Sequence, residues 1–197
     1  MDKAAFRKIC LARLKRAERT GRWYRNRAVL RKLEKIIKKT NPKSILLYMP
    51  MGHEVDVWPL FRHLRRRHRL FVPFMEGESF KLVQYRLPLF KKQYGIYEPS
   101  NSRFYLTNID MAVVPVVGVD GRFRRIGFGK GMYDRFFGSL KHKPVTLFVQ
   151  LTACCTKERI TDDYDVEADI YITPEMTLFR GKRHDYGNYR RRCGSRY

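Results

Sequence analysis

The strongest constraint on the fold of this 197-residue chain is a series of short, unbroken apolar runs. Ser44 to Met49 reads Ser-Ile-Leu-Leu-Tyr-Met, and Asp110 to Val117, Val145 to Leu151 and Ile170 to Thr173 are similarly apolar. A run of strand length without polar alternation is buried on both faces, and such strands belong to parallel sheets covered by helices. Leu70 to Phe74 and Phe80 to Tyr85 supply two more strands. Helical patterns lie between and before them. Phe6, Ile9, Cys10, Leu14 and Ala17 recur at helical spacing and predict a basic amphipathic helix over 3–19. Val29, Leu30, Leu33, Ile36 and Ile37 predict a second, ending near Asn41-Pro42; Val57, Leu60, Phe61 and Leu64 a short third; Met132, Phe136, Phe137 and Leu140 a fourth. Residues 155–160 read as a short helix or turn, and Gly95 to Pro99 as a turn-rich connection. The expected fold is an α/β single domain, an open and mostly parallel sheet flanked by helices, with a core over 1–179 and a flexible basic tail over 180–197.

The stretch from Asp120 to Phe137 carries the chemistry. It contains Arg125-Ile126-Gly127-Phe128-Gly129-Lys130-Gly131-Met132-Tyr133-Asp134 between an apolar run and a helical pattern. Glycines at alternate positions let a backbone turn with its N–H groups exposed, and such a turn at a helix N-terminus binds phosphate. Lys130 and Arg125 add positive charge, and Asp134 is placed to hold a divalent cation beside those phosphates, because Mg2+ takes carboxylate and phosphate oxygens together. The plainer alternative is a glycine-rich surface turn that caps a helix. No Gly-Lys-Ser/Thr ends the segment, so it is not a Walker A loop.

Charge bounds the partners. The 42 Lys+Arg against 19 Asp+Glu leave a net charge of +23, which attracts nucleotides, RNA or polyglutamylated small molecules. Lys3 and Arg7, four residues apart, share a helix face from which they could reach a phosphate tail or simply face solvent. Glu54 and Asp56 follow the first strand, at the sheet edge where open α/β folds bind ligands. The acidic segment Asp162 to Asp169 holds either a second metal ligand or partners for the arginines. The five histidines do not cluster and read as surface or packing residues. Cys10, Cys154, Cys155 and Cys193 show no CxxC spacing and are expected to be reduced thiols. With no apolar run long enough to span a bilayer and no signal-peptide pattern, a cytoplasmic protein with no membrane partner is expected.

Taken together, these motifs resemble the 5-formyltetrahydrofolate cyclo-ligase (methenyltetrahydrofolate synthetase) family over nearly the whole chain. The resemblance rests on Lys3-x-x-x-Arg7, Glu54-x-Asp56, Gly95-x-x-Glu98-Pro99, the run from Arg125 to Asp134, and Asp165-Val166-Glu167-Ala168-Asp169 leading to Thr173. It implies the α/β sheet shared with sugar-phosphate isomerases and coenzyme A transferases, in a protein expected to be a monomer. It also implies ATP as co-substrate, bound by Lys3, Arg7, Arg125, Ile126, Gly127, Phe128, Gly129, Lys130, Gly131, Met132 and Tyr133, with Lys130 and Arg125 catalytic. Mg2+ would be held by Asp134 and Asp165, and the folate by Met49, Glu54 and Phe128, with Glu54 on the pterin edge. The implied reaction is ATP-dependent closure of 5-formyltetrahydrofolate to 5,10-methenyltetrahydrofolate. Val57 stands where the family usually has Thr, Met132 replaces the first Tyr of its Tyr-Tyr-Asp end, and Phe128 fills a variable position. The alternative is a basic RNA-associated protein that keeps the fold without the reaction.

Overall fold

A computed structural model describes residues 1–91, 97–99 and 108–181. The chain opens with α1 (Lys3–Arg19), as the periodicity predicts, and the Asp2 carboxylate caps it by accepting from the Ala5 N–H at 2.7 Å. α2 (Arg22–Thr40) buries Val29, Leu33 and Ile37 and stops where Asn41 turns left-handed at φ 45°. Then come β1 (Ser44–Leu46), α3 (Trp58–Leu64), β2 (Arg69–Glu76) and β3 (Ser79–Gln84). β4 (Leu89–Lys91) and β5 (Tyr97–Pro99) pair with each other. β6 (Met111–Pro115), β7 (Gly118–Val119) and β8 (Arg125–Ile126) lead to α4 (Met132–Ser139), followed by β9 (Val145–Val149), β10 (Ile170–Ile172) and β11 (Thr177–Phe179).

Seven strands form one sheet in the order β11-β10-β9-β6-β1-β2-β3. The inner pairs are parallel and the two edge pairs, β2 with β3 and β10 with β11, are antiparallel. The six predicted strands are all present, and the mostly parallel sheet agrees with the expected fold class. β11, the β4–β5 pair and the β7–β8 pair are not predicted, because none of them lies in a sustained apolar run of its own. Residues 155–160 form no helix; Cys155 bridges to Val119 instead. Residues 95 and 96 of the turn-rich connection and 182–197 of the basic tail lie outside the described residues.

Successive residues of the inner strands point to opposite faces. Ile45, Val113 and Leu147 meet Phe6 of α1, Leu33 of α2 and Leu60 of α3 on one face. Leu46, Val114 and Phe148 meet Phe136 and Phe137 of α4 on the other. Each fully buried side chain of this size contributes about 1.5–3 kcal/mol, so unbroken apolar strands are what a doubly covered sheet requires. Among the described residues, no helix is long and apolar enough to cross a membrane.

The expectation of reduced thiols is overturned. Cys10 of α1 and Cys154 beyond β9 are disulfide-bonded across 144 residues of sequence, and Cys155 is disulfide-bonded as well. α1 lies so close to the β7 turn that a Cβ on Gly118 would fall 2.9 Å from the Cys10 sulfur. Local spacing cannot show a pairing that the tertiary fold creates.

One polar cluster pins the same region. The buried Tyr171 hydroxyl donates to Gln150 Oε1 and accepts from the Cys154 N–H at 3.1 Å, while Gln150 Nε2 donates to the Val117 carbonyl at 2.5 Å. Removing the hydroxyl leaves a buried acceptor and a buried donor unpaired. Tyr171→Phe should therefore cost about 1–3 kcal/mol and lower the melting temperature by roughly 2–12 °C in a thermal scan. An unchanged melting temperature would show that this cluster does not support the fold.

Candidate active site

β1 lies inside the sheet with β2 on one side and the central strand, β6, on the other. The segments leaving the carboxyl ends of β1 and β6 diverge, and a crevice opens where strand order changes direction. The segment after β1 carries Met49 and the turn Met51 to Glu54, which the Tyr48 hydroxyl braces by donating to the Val55 carbonyl at 2.6 Å. The segment after β6 leads through β7 and β8 into the glycine loop. Between them lies a cavity of about 410 Å³ whose lining includes Met49, His53, Glu54, Arg125, Phe128 and Lys130.

The alternating glycines have separate physical reasons. A Cβ on Gly127 would fall 2.2 Å from Arg125 Nη1, so only glycine lets the loop lie against that guanidinium. Gly129 and Gly131 have φ of 105° and 62°, left-handed geometry that a side chain would strain, and Gly131 is the N-cap of α4. Arg125 is buried beneath the loop. Its Nε donates to the Pro115 carbonyl at 3.1 Å, and its guanidinium lies 4.7 Å from the Tyr133 ring centroid. Ile126 is fully buried and anchors β8, whereas Lys130 is exposed at the cavity rim.

α1 brings its cations to the same place. Arg7 Nε donates to the Gly127 carbonyl at 2.8 Å. Lys3 reaches Asp165 Oδ2 at 2.5 Å and Asp162 Oδ2 at 3.2 Å. Partial burial would lower the Lys3 pKa, but hydrogen bonds to Asp165 and Asp162 outweigh it and hold the pKa above its ordinary value. Asp134 Oδ1 accepts from the Val166 N–H at 3.1 Å, and its Oδ2 lies 3.8 Å from Arg125 Nη1. The two carboxylates named in the sequence are thereby tied to one strip of chain, Asp165-Val166.

The rest of the acidic segment pairs with basic side chains. Arg122 and Arg124 meet Asp163, and Arg180 meets Glu167 and Asp169. Among the described residues, no three metal-binding side chains converge. One or two carboxylates are nonetheless the donor set that suits Mg2+ when phosphate oxygens complete its shell. Asp134 fits that role, with Asp165 available only if Lys3 shifts to a phosphate.

Glu54 dominates the electrostatics of the cavity. Burial pushes its carboxyl from 4.5 up to about 7, opposed in part by the Met51 N–H, which donates to Oε2 at 2.9 Å, and by the charge of Arg125. Burial raises Tyr133 as well, with Glu54 adding to the rise. Met132 lines the cavity, but Val57 is fully buried in the core under α3. Phe128 meets the ring of His53 edge-on at 4.8 Å. His53, read from the sequence as a surface or packing residue, packs on Phe128 and also lines the cavity. No sequence pattern placed it at the cavity, because that position depends on a fold that seats Phe128 opposite.

Residues 1–174 match the 5-formyltetrahydrofolate cyclo-ligase family. A 5-formyltetrahydrofolate cyclo-ligase of Mycoplasma pneumoniae is 24% identical over 176 residues, covering 89% of this chain and 100% of that protein. The corresponding protein of Haemophilus influenzae is 26% identical over 144 residues, 66% of this chain and 75% of that one. The NMR structure of Aquifex aeolicus 5,10-methenyltetrahydrofolate synthetase superimposes with a TM-score of 0.76 at 27% identity, covering 93% of this chain and 95% of that chain. An RNA-associated role for the fold finds no support in these relatives. A match over 174 of 197 residues, with the sheet and glycine loop to go with it, shows that the chain belongs to the 5-formyltetrahydrofolate cyclo-ligase family.

Proposed function

We propose that this protein catalyses the ATP-dependent cyclisation of 5-formyltetrahydrofolate to 5,10-methenyltetrahydrofolate. One observation carries the reading: a single cavity has a buried carboxylate, Glu54, on one wall and the glycine loop with Arg125 and Lys130 on the other. Family membership supports the choice of reaction. In this arrangement Glu54 accepts N–H groups of the pterin edge, Met49 and Phe128 enclose the ring system, and the N–H groups of residues 127–131 face the phosphates of ATP.

The chemistry asks little covalent work of the protein. An N5-formyl group is an amide-like carbonyl and a poor electrophile, so its oxygen is activated by taking the γ-phosphoryl group of ATP. N10 then attacks the formyl carbon and loses its proton, and phosphate departs with the former formyl oxygen. Phosphoryl transfer is mainly positioning and charge neutralisation. Lys130 at the rim and Arg125 below the loop supply fixed positive charge, and Arg7 holds the loop through the Gly127 carbonyl. Lys3 and Arg7 extend that positive surface toward the phosphate tail. Mg2+ held at Asp134, with Asp165 as its second ligand, would neutralise phosphate charge and orient the transferring group.

Three outcomes follow. Purified protein should generate the methenyl absorbance only when 5-formyltetrahydrofolate, ATP and Mg2+ are all supplied; a signal indifferent to ATP would contradict the reading. Lys130→Ala should lower kcat by roughly 10²–10³-fold, as loss of one charge-stabilising donor does, with little change in melting temperature because the side chain is exposed. The third outcome is a pH dependence set by Glu54. Its folded-state pKa of about 7 exceeds the ordinary 4.5. The free enzyme therefore loses roughly 3 kcal/mol of stability as pH rises from 4.5 through 7, a loss that Glu54→Gln should abolish in pH-dependent melts. Folate capture runs the opposite way, since the ionised carboxylate is the better acceptor. The kcat/KM for the folate should rise through about pH 7 in the wild type and lack that limb in Glu54→Gln.

A further inference from the structure

α2 has two faces of opposite character. Val29, Leu33 and Ile37 bury one of them in the core. The other carries Tyr24, Arg27, Arg31, Lys35 and Lys38, spaced three, four, four and three residues apart, so that they line up along the helix. The strip they form is about 21 Å long. All five side chains are exposed, and none of them lines the cavity.

The cations of this strip do not serve the helix. Arg27 and Arg31 stand at i and i+4, as do Arg31 and Lys35, and like charges at that spacing weaken a helix. The helix dipole favours Lys38 and Lys39 in the last turn but gives no reason for cations in the middle. Glu34 is the one acid of α2, and among the described residues no carboxylate forms an ion pair with Arg27, Arg31, Lys35 or Lys38.

The aromatic end stands out as well. Trp23 is 61% exposed and Tyr24 75% exposed, whereas large rings are ordinarily well buried. The two rings meet edge to face at 4.9 Å, and the Arg27 guanidinium lies 5.1 Å from the Trp23 ring centroid. Exposed rings beside a row of unneutralised cations suit single-stranded nucleic acid, whose bases stack on aromatic side chains while its phosphates follow the charge. A membrane surface would need the helix to offer its apolar face, and that face is already buried.

We propose that the exposed face of α2 binds single-stranded nucleic acid, with bases stacked on Tyr24 and Trp23 and the phosphodiester backbone running along Arg27, Arg31, Lys35 and Lys38. This surface adds a partner to the protein and leaves the cyclo-ligase reading as it stands.

Binding of a fluorescently labelled oligouridine RNA, followed by anisotropy over a range of salt concentrations, tests the proposal. Four proteins are compared: the wild type, Tyr24→Ala, the triple variant Arg27→Gln/Arg31→Gln/Lys35→Gln, and a control triple, Arg65→Gln/Arg66→Gln/Arg67→Gln. The control removes the same number of exposed cations from another part of the surface. The α2 triple should make the slope of log affinity against log salt shallower by about two, near 0.7 for each lost phosphate contact, and the control by less than half of that. Tyr24→Ala should weaken binding about tenfold at every salt concentration with the slope unchanged. All three variants should keep the wild-type circular dichroism and turnover of 5-formyltetrahydrofolate. Equal losses in the two triples would show only the pull of the net charge of +23 and overturn the proposal. It is equally overturned if Tyr24→Ala binds like the wild type, or if the wild type binds phosphatidylserine vesicles but not the RNA. A wild type that binds the RNA as expected but does not convert the folate overturns the cyclo-ligase reading alone.

Discussion

The parallel pairing of β1 with β6, Ile45 against Met111 and Leu46 against Ala112, is the constraint on which the rest of the molecule depends. It sets two strand ends side by side whose continuations must separate, one toward α3 and the other toward β7 and the glycine loop. The cavity is the space they leave. Its chemistry follows from what each continuation carries: Met49, His53 and Glu54 from the first, and Arg125, Phe128 and Lys130 from the second. The pairing is stable because both faces of the two strands are covered, by α1 to α3 on one side and by α4 on the other.

α1 completes the site from outside the sheet. Phe6, Cys10, Leu14 and Ala17 fix its buried face, which fixes where Lys3 and Arg7 emerge at the edge of that face. Arg7 reaches the Gly127 carbonyl and Lys3 the Asp165 carboxylate, so the first turns of the chain meet loops more than a hundred residues away. The disulfide from Cys10 to Cys154 fastens the same helix. Much of the acidic segment that looks exceptional in a chain of net charge +23 is used locally, pairing Arg122, Arg124, Arg180 and Lys3. The reading of those acids as partners for arginines is thus observed directly.

How much the sequence revealed depended on the range of the interaction. The extent of α1, the glycine turn and six of the seven strands of the main sheet were legible, because each rests on periodicity, on an apolar run or on local backbone demands such as those at Gly129 and Gly131. Glu54 was legible from its place after a buried strand, although its raised pKa arises from burial that only the fold creates. The disulfide and the cavity position of His53 were not legible. Both depend on residues distant in sequence, Cys154 for one and Phe128 for the other, and spacing carries no record of such contacts. Val57 departs from the family pattern in sequence yet proves to be a core residue, so that departure leaves the cavity wall itself unchanged.

On the proposed reading, one cavity holds the folate while the adjoining glycine loop holds the nucleotide. A crystal structure with 5-formyltetrahydrofolate and a non-hydrolysable ATP analogue would show where each ligand lies. The expected result is the pterin edge on Glu54, the terminal phosphate against the N–H groups of residues 127–131, and Lys130 within reach of both ligands. A folate bound outside this cavity, or phosphates that avoid the glycine loop, would contradict it.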